Sequence, residues 1–280
     1  MFLLGPLAGL LLVSRPSTRR EWIWVVGLAV WSAIWLDQLG GLGGQLVRAA
    51  AVLLSGAFVA LTVWRPSNRL GHALAATGLA GLALAAWMGR LGIDPASVRR
   101  AIEADLGAYR RAVQAELTGS ASRDLLAQLT QAGDTVALLY PGLLALGAIG
   151  GLRLAWVWYH RIAERPVGPA PLPFAAFGFS DQMVWGWVLA LTLTLFGAGS
   201  WQATGANLLL IWAVLYAVRG LAVFSAGAAR VPGPVIATLA VVAMFLLPFV
   251  AGGLMLLGLA DTWLDFRRRL ATPSTGGFDL

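Results

Sequence analysis

Two apolar runs late in the chain, residues 207–228 and 235–260, restrict its fold more than any other feature. A helix needs about 20 residues to cross the ~30 Å hydrocarbon core of a bilayer, and each run is long enough. The first carries Arg219 near its middle; the second leads into Asp261, Asp265 and the triplet Arg267, Arg268, Arg269. A charge at the centre of a span costs at least about 2.5–3.5 kcal/mol. Whatever holds Arg219 there must satisfy it.

Composition extends this reading to the whole chain. Of 280 residues 59% are hydrophobic and only 12% charged, so the polar surface of a soluble domain is lacking. The expected class is an all-α, polytopic transmembrane helical bundle of seven or eight spans, forming one integral domain over 1–270. The spans fall at 1–13, 22–36, 45–64, 70–88, 135–159, 184–198, 207–228 and 235–260. Residues 1–13 lack the basic start and small-residue cleavage site of a signal peptide, which leaves a short span, a trimmed span or a helix tucked among others.

Between the fourth and fifth spans, residues 94–134 form the one sizeable polar region. Ile102, Leu106, Tyr109, Val113 and Leu117 recur at three- and four-residue steps, the pattern of an amphipathic helix, broken at Gly119 and Ser120 and resuming near Leu125. Its charges are mixed in sign, so packing across the bundle mouth fits better than binding to a lipid surface. Small residues at four-residue spacing, such as Ala76 with Ala80 and Gly147 with Gly151, mark close helix approaches. Pro166, Pro169, Pro171 and Pro173 end the helical pattern after the fifth span, and the tail 271–280 reads as disordered.

All twenty basic residues are arginines, which excludes chemistry that needs a lysine; the absence of cysteine excludes thiolate nucleophiles and thiolate metal sites. His72 and His160 are far apart and read as interfacial hydrogen-bonding residues. Ten of the thirteen tryptophans lie near segment ends, as interfacial belts do. The glycines at 40, 41, 43 and 44 have no preceding strand and read as a turn, not a nucleotide loop. No paired carboxylates, nucleophile–base set or metal cluster stands within the spans, so neither an enzyme nor a cofactor is expected. Nor is nucleic-acid binding, because no basic patch interleaves with aromatics.

Arginine-rich connections at 14–20, 65–69, 161–165 and 230 alternate with arginine-free ones at 37–44 and 199–206. The positive-inside rule places the first set in the cytoplasm and 94–134 outside. Eight spans then put both termini outside, against the pull of Arg267, Arg268 and Arg269. Either the last segment bends at Pro248 and Gly252 and returns, or one short segment does not span.

Four polar residues are candidates for a structural or functional intramembrane role: Arg219, Asp261, Asp265 and Asn207. Two arrangements stay open. Arg219 pairs with Asp261 or Asp265, or it snorkels toward a watery cavity while the two aspartates pair with the terminal arginines.

Pro171, Pro173 and Phe174 ahead of Val184 and Trp185, the segment opening at Asn207, the run Gly220, Leu221, Ala222, Val223, Pro248, and the closing Gly258 to Arg267 carry a resemblance. Over 165–269 the chain resembles the YybS-like family of predicted bacterial membrane proteins, the domain-of-unknown-function family numbered 2232; before that the layout agrees. It departs from the family pattern at Arg219, where glutamine is expected. The resemblance implies a bacterial cytoplasmic membrane protein, similar in layout to the substrate-binding components of energy-coupling-factor transporters and to the rod-shape protein MreD. The expected function is therefore non-enzymatic binding of a small molecule or partner within the bundle, as in a transporter subunit, with a scaffold in envelope growth or division as the alternative. The expected partners are the lipid bilayer and other membrane proteins or an ATPase module.

Overall fold

The computed structural model of the chain describes residues 2–37, 41–66, 69–116, 121–228 and 231–266. Gly40, Leu117, Gly119, Ser120, Arg230, Arg267 to Arg269 and the tail 271–280 lie outside the described residues. Among those described, the chain forms ten α-helices, two short 3-10 turns and no strand. It divides into two compact units, Met1–Pro171 and Leu172–Leu280. The division falls inside the proline-rich connector, which cannot continue a helix.

The first unit holds α1 (Leu4–Val13), α2 (Arg19–Asp37), α3 (Gly41–Trp64), α4 (Arg69–Arg90), α5 (Pro95–Glu116) and α6 (Ala121–Ile162). Helix α1 rises only about 15 Å, half a bilayer core. It is tucked among α2, α3 and α6, with Leu7, Leu10 and Leu11 buried. The Ser14 hydroxyl ends it by donating to Leu11 O at 2.8 Å. The glycines at 41, 43 and 44 do not form a separate turn: Gly41, in the left-handed region at φ 67°, opens α3 and the others continue it. On α4 the face carrying Ala76 and Ala80 is buried, whereas Gly81 and Ala85 point outward. Gly147 and Gly151 of α6 take Phe2 against their missing side chains.

The polar region 94–134 forms two helices, α5 ending at Glu116 and α6 starting at Ala121, either side of the expected break. Asp94 caps α5, its Oδ1 accepting from Ala96 N at 3.1 Å, and Pro95 fits the first turn. Ile102, Leu106 and Val113 are half-buried, but Tyr109 is 66% exposed. The second half of the region is continuous with the fifth apolar segment in the 42-residue α6, because no proline separates Leu125 from Thr135; Pro141 lies inside the helix. Helix α5 packs against α6.

The second unit holds α7 (Val184–Phe196), α8 (Ser200–Ala228), α9 (Gly233–Phe245) and α10 (Leu247–Leu264), with 3-10 turns at Phe174–Ala176 and Asp181–Met183. Helix α8 starts seven residues ahead of the expected 207. The run 235–260 is not one helix: Leu246, at φ −105° and ψ 25°, separates α9 from α10. Pro248 explains the break, since it lacks an N–H and occupies the first turn of α10 instead of a helix interior.

Five helical segments are long and apolar enough to cross a membrane: Gly43–Trp64, Leu70–Arg90, Leu125–Ile162, Ser200–Ala228 and Leu247–Leu264. Helices α1, α7 and α9 are apolar but shorter. Helix α2 falls outside both sets, with Arg19, Arg20 and Glu21 in its first turn and Asp37 at its end.

Candidate functional site

Helix α8 has 29 residues and rises about 44 Å, enough for two shorter helices to lie along it in succession. A side chain on Gly205 would strike Leu193 and Thr194, and one on Gly186 would strike Trp212. These contacts run α7 antiparallel along the first half of α8. At the second half, Gly220 meets the backbone of Leu254 and Gly258, and Gly258 meets the backbone of Tyr216. Helix α10 is therefore antiparallel to α8 as well. The start of α7 and the end of α10 arrive at the same stretch of α8, and Arg219 stands there.

Arg219 is 4% exposed and Asp261 1%. The Arg219 Nε donates to Asp261 Oδ2 at 2.9 Å, and Nη2 donates to the Asp261 carbonyl at 3.3 Å and to Asp181 Oδ1 at 3.1 Å. Nη1 donates to the Phe179 carbonyl at 3.3 Å, and the guanidinium lies 5.2 Å from the Phe179 ring centroid. That ring meets Tyr216 edge-on at 5.2 Å. A planar guanidinium with five donors can hold several acceptors at once, which a lysine ammonium cannot do in this geometry. The Asp261 carbonyl belongs to the last turn of α10, where it also accepts from Asp265 N and where a cation is favoured. One side chain thus closes the end of α10, neutralises Asp261 and fixes the connector that leads into α7.

The four candidate residues divide. Of the two arrangements open for Arg219, the structure holds the ion pair, and with Asp261. Asp265 ends α10 in the left-handed region at φ 45°, its N–H donating to Asp261 O at 3.2 Å. Asn207 sits twelve residues before Arg219, roughly 18 Å along the helix, with Nδ2 donating to Ala203 O at 2.8 Å. The sequence reading missed Asp181, whose side chain is 66% exposed. No spacing rule links it to α8 or α10; the only signal was a lone acid after Phe174, Phe177 and Phe179.

Next to this cluster lies an apolar cavity of about 470 Å³, lined by Val223, Phe224 and Gly227 of α8, Leu239 of α9, Leu257 of α10 and Phe266. Val223 is one turn beyond Arg219, and Leu257 one turn before Asp261. Its volume is typical of small-molecule sites, about 300–1,000 Å³. Among the described residues no group of three or more His, Asp or Glu side chains is placed to hold a metal.

A comparison with protein families matches residues 1–262 to the family described as Predicted membrane protein (DUF2232). The chain belongs to this family. No curated protein and no solved structure matches it. The DUF2232 match takes in Asp181, Arg219 and Asp261 and ends before Asp265. Membership places the chain in a membrane, which explains the many large apolar side chains on its surface, Phe245, Phe249 and Met244 among them.

The first unit has a polar network of its own, also missed in the sequence. Glu21 is 3% exposed, and its Oε2 accepts from Ser17 N at 2.9 Å, Thr18 N at 3.0 Å and the Thr18 hydroxyl at 2.9 Å. Its Oε1 accepts from Glu164 N at 3.0 Å, which ties the start of α2 to the end of α6. The readable signal was Thr18 followed three residues later by Glu21, a capping box. The Glu164 N–H and then the Thr18 N–H hold the Glu21 carboxyl at about 2 against an ordinary 4.5, while burial opposes them. A depressed carboxyl contributes stability that is complete above about pH 4.5 and lost as pH falls toward 2. Thermal unfolding of wild type and Glu21→Gln from pH 7 to pH 3 should show the wild type losing its advantage below about pH 4.5; parallel curves would refute this role.

Proposed function

We propose that the protein is a non-enzymatic membrane protein that binds a small molecule or partner within its helices, as a transporter subunit does. The observation that supports this reading is the apolar cavity between α8, α9 and α10, beside the Arg219–Asp261 pair that holds α10 to α8. Every donor the cluster presents to Asp261, Asp181 and Phe179 is already used for structure, so the apolar walls supply the binding surface. The reading takes seven of the expected seven or eight crossings, with α2 and α7 completing the five long segments, in the cytoplasmic membrane of a bacterium. It makes an ATPase module a natural partner.

The test is mass spectrometry of the gently purified protein, with Leu257→Trp as the variant that fills the cavity. The wild type should retain a small molecule, and the variant should retain it at roughly one tenth the occupancy or less, a difference of about 1.4 kcal/mol. Equal retention would rule the cavity out as the site.

A second reading, a scaffold for envelope proteins with the layout of MreD, is favoured by a groove of about 910 Å³ on the first unit. Gly5 and Gly9 of α1 and Ser55, Gly56 and Ala60 of α3 line it. Gly5 and Gly9 bring α1 close against Ser55 and Val59 of α3, and the apolar Leu12, Val13, Val63 and Trp64 of the same groove are left to meet another helix. Recovery of cell-wall proteins with the purified chain, and no retained small molecule, favours this reading over the first.

A further inference from the structure

We infer that Arg153 of α6 docks a transmembrane helix of another protein, one that carries an Asp or Glu side chain within its apolar length. This site lies in the first unit and is independent of the cavity between α8, α9 and α10. Between Asp134 and Arg161 the chain has one charged residue, Arg153, inside a segment long and apolar enough to cross the membrane. Arg161 stands in the last turn of α6, eight residues and about 12 Å further on, whereas Asp134 lies nineteen residues and roughly 28 Å back. The guanidinium therefore belongs to the hydrocarbon region, where an unpaired charge is expensive.

Arg219 of α8 meets the same demand with Asp261. Arg153 is half-buried, and among the described residues it makes no hydrogen bond and no ion pair. Long helical side chains lean toward the start of their helix, over the residues three and four places earlier. For Arg153 these are Gly150 and Ile149, away from the nearer end at Arg161. A second copy of the chain does not supply the missing acid. Within the five long segments the acids are Asp134 and Asp261, and Glu21 and Asp37 stand at the ends of α2. Asp261 is already bonded to Arg219, and Asp134 of a copy inserted the same way differs in depth from Arg153 by roughly 28 Å.

The flank of α6 selects the class of anion. Gly150, one turn before Arg153, is exposed, and a Cβ there would meet nothing within 4 Å. Leu143 and Leu154, which share its side of the helix, are 42% and 52% exposed. This is an open apolar strip with a small residue in it, which a straight helix can approach closely. A small anionic metabolite needs a concave site, and Arg153 lines neither cavity. A phospholipid headgroup sits outside the hydrocarbon region that holds Arg153.

The experiment places the full chain, carrying a donor fluorophore, in phosphatidylcholine bilayers with acceptor-labelled synthetic leucine–alanine helices of about 24 residues. One helix has Glu at its centre and the other Gln, and energy transfer reads association. The wild type should bind the Glu helix roughly tenfold more tightly than the Gln helix. Arg153→Gln should bind the two equally. Gly150→Leu leaves Arg153 in place but fills the open strip, and it should lose the preference as well; if Arg153→Gln does not fold, Gly150→Leu decides alone. Equal binding of the two helices by the wild type overturns the inference, as does a preference that survives in either variant. A preference abolished when phosphatidylglycerol is mixed into the bilayer assigns Arg153 to a headgroup and overturns the partner helix.

Discussion

Asp261→Ala should destabilise the second unit by about 3–5 kcal/mol, because it leaves the Arg219 guanidinium buried beside an empty site. The loss is larger than that of an exposed ion pair, typically about 0–1 kcal/mol, since both side chains here are shielded from water. Arg219→Ala should cost a comparable amount by stranding Asp261, whose side chain has no exposed surface. Asp181→Ala should cost much less, because that carboxylate is 66% exposed and its removal leaves Arg219 still paired with Asp261. The ranking Asp261 above Asp181, read from the fraction folded in a denaturant titration, distinguishes a buried pair from a diffuse charge effect.

The second large effect is expected at the crossing of α8 and α10. A Cβ on Gly258 would meet the Tyr216 carbonyl and the Gly220 amide nitrogen, and a Cβ on Gly220 would meet the Leu254 carbonyl. These are backbone atoms that cannot rotate away, so relief requires the helices to separate. Overpacking of a tight core costs about 1–3 kcal/mol, and more where the backbone must move. Gly258→Val should therefore exceed that range, and the parting helices should also break the Arg219–Asp261 bonds three residues away. Gly252→Val is the control, since nothing lies within 4 Å of a Cβ there. Equal losses at the two positions would contradict the close approach.

Much of this architecture was legible in the sequence, for physical reasons that can be named. Long apolar runs have few alternatives to helices in a membrane, because each backbone polar group must find its partner within the segment. Hence 45–64 and 70–88 correspond closely to α3 and α4. Pro248 marked the place where the last run divides. The four prolines of the connector marked the end of the first unit, whose last stretch is fastened by Val167 N donating to the Tyr159 hydroxyl at 2.7 Å.

What the sequence hid was pairing across distance. Arg219 and Asp261 stood out because a charge in an apolar run is costly, and that cost makes a partner necessary without saying which. Asp181 carried no such signal, since an acid in a polar connector has no need of a partner. Its role appears only when α7 and α10 meet along α8. Helix lengths were hidden for another reason. Ser200 to Ala206 is too polar to count in an apolar run, yet Gly205 packs tightly on α7 and the helix begins there. Glu21 was masked by Arg19 and Arg20, which drew the stretch into a count of basic loops, although Thr18 already held the cap.

The central claim is that Arg219 and Asp261 act as one unit that locks α10 onto α8. A double-mutant cycle of Arg219→Ala, Asp261→Ala and both together, with unfolding free energies measured in bilayers, tests it most directly. The account predicts that the double variant costs far less than the sum of the singles, with a coupling within the roughly 0.5–3 kcal/mol seen for interacting neighbours. Additive losses would contradict it.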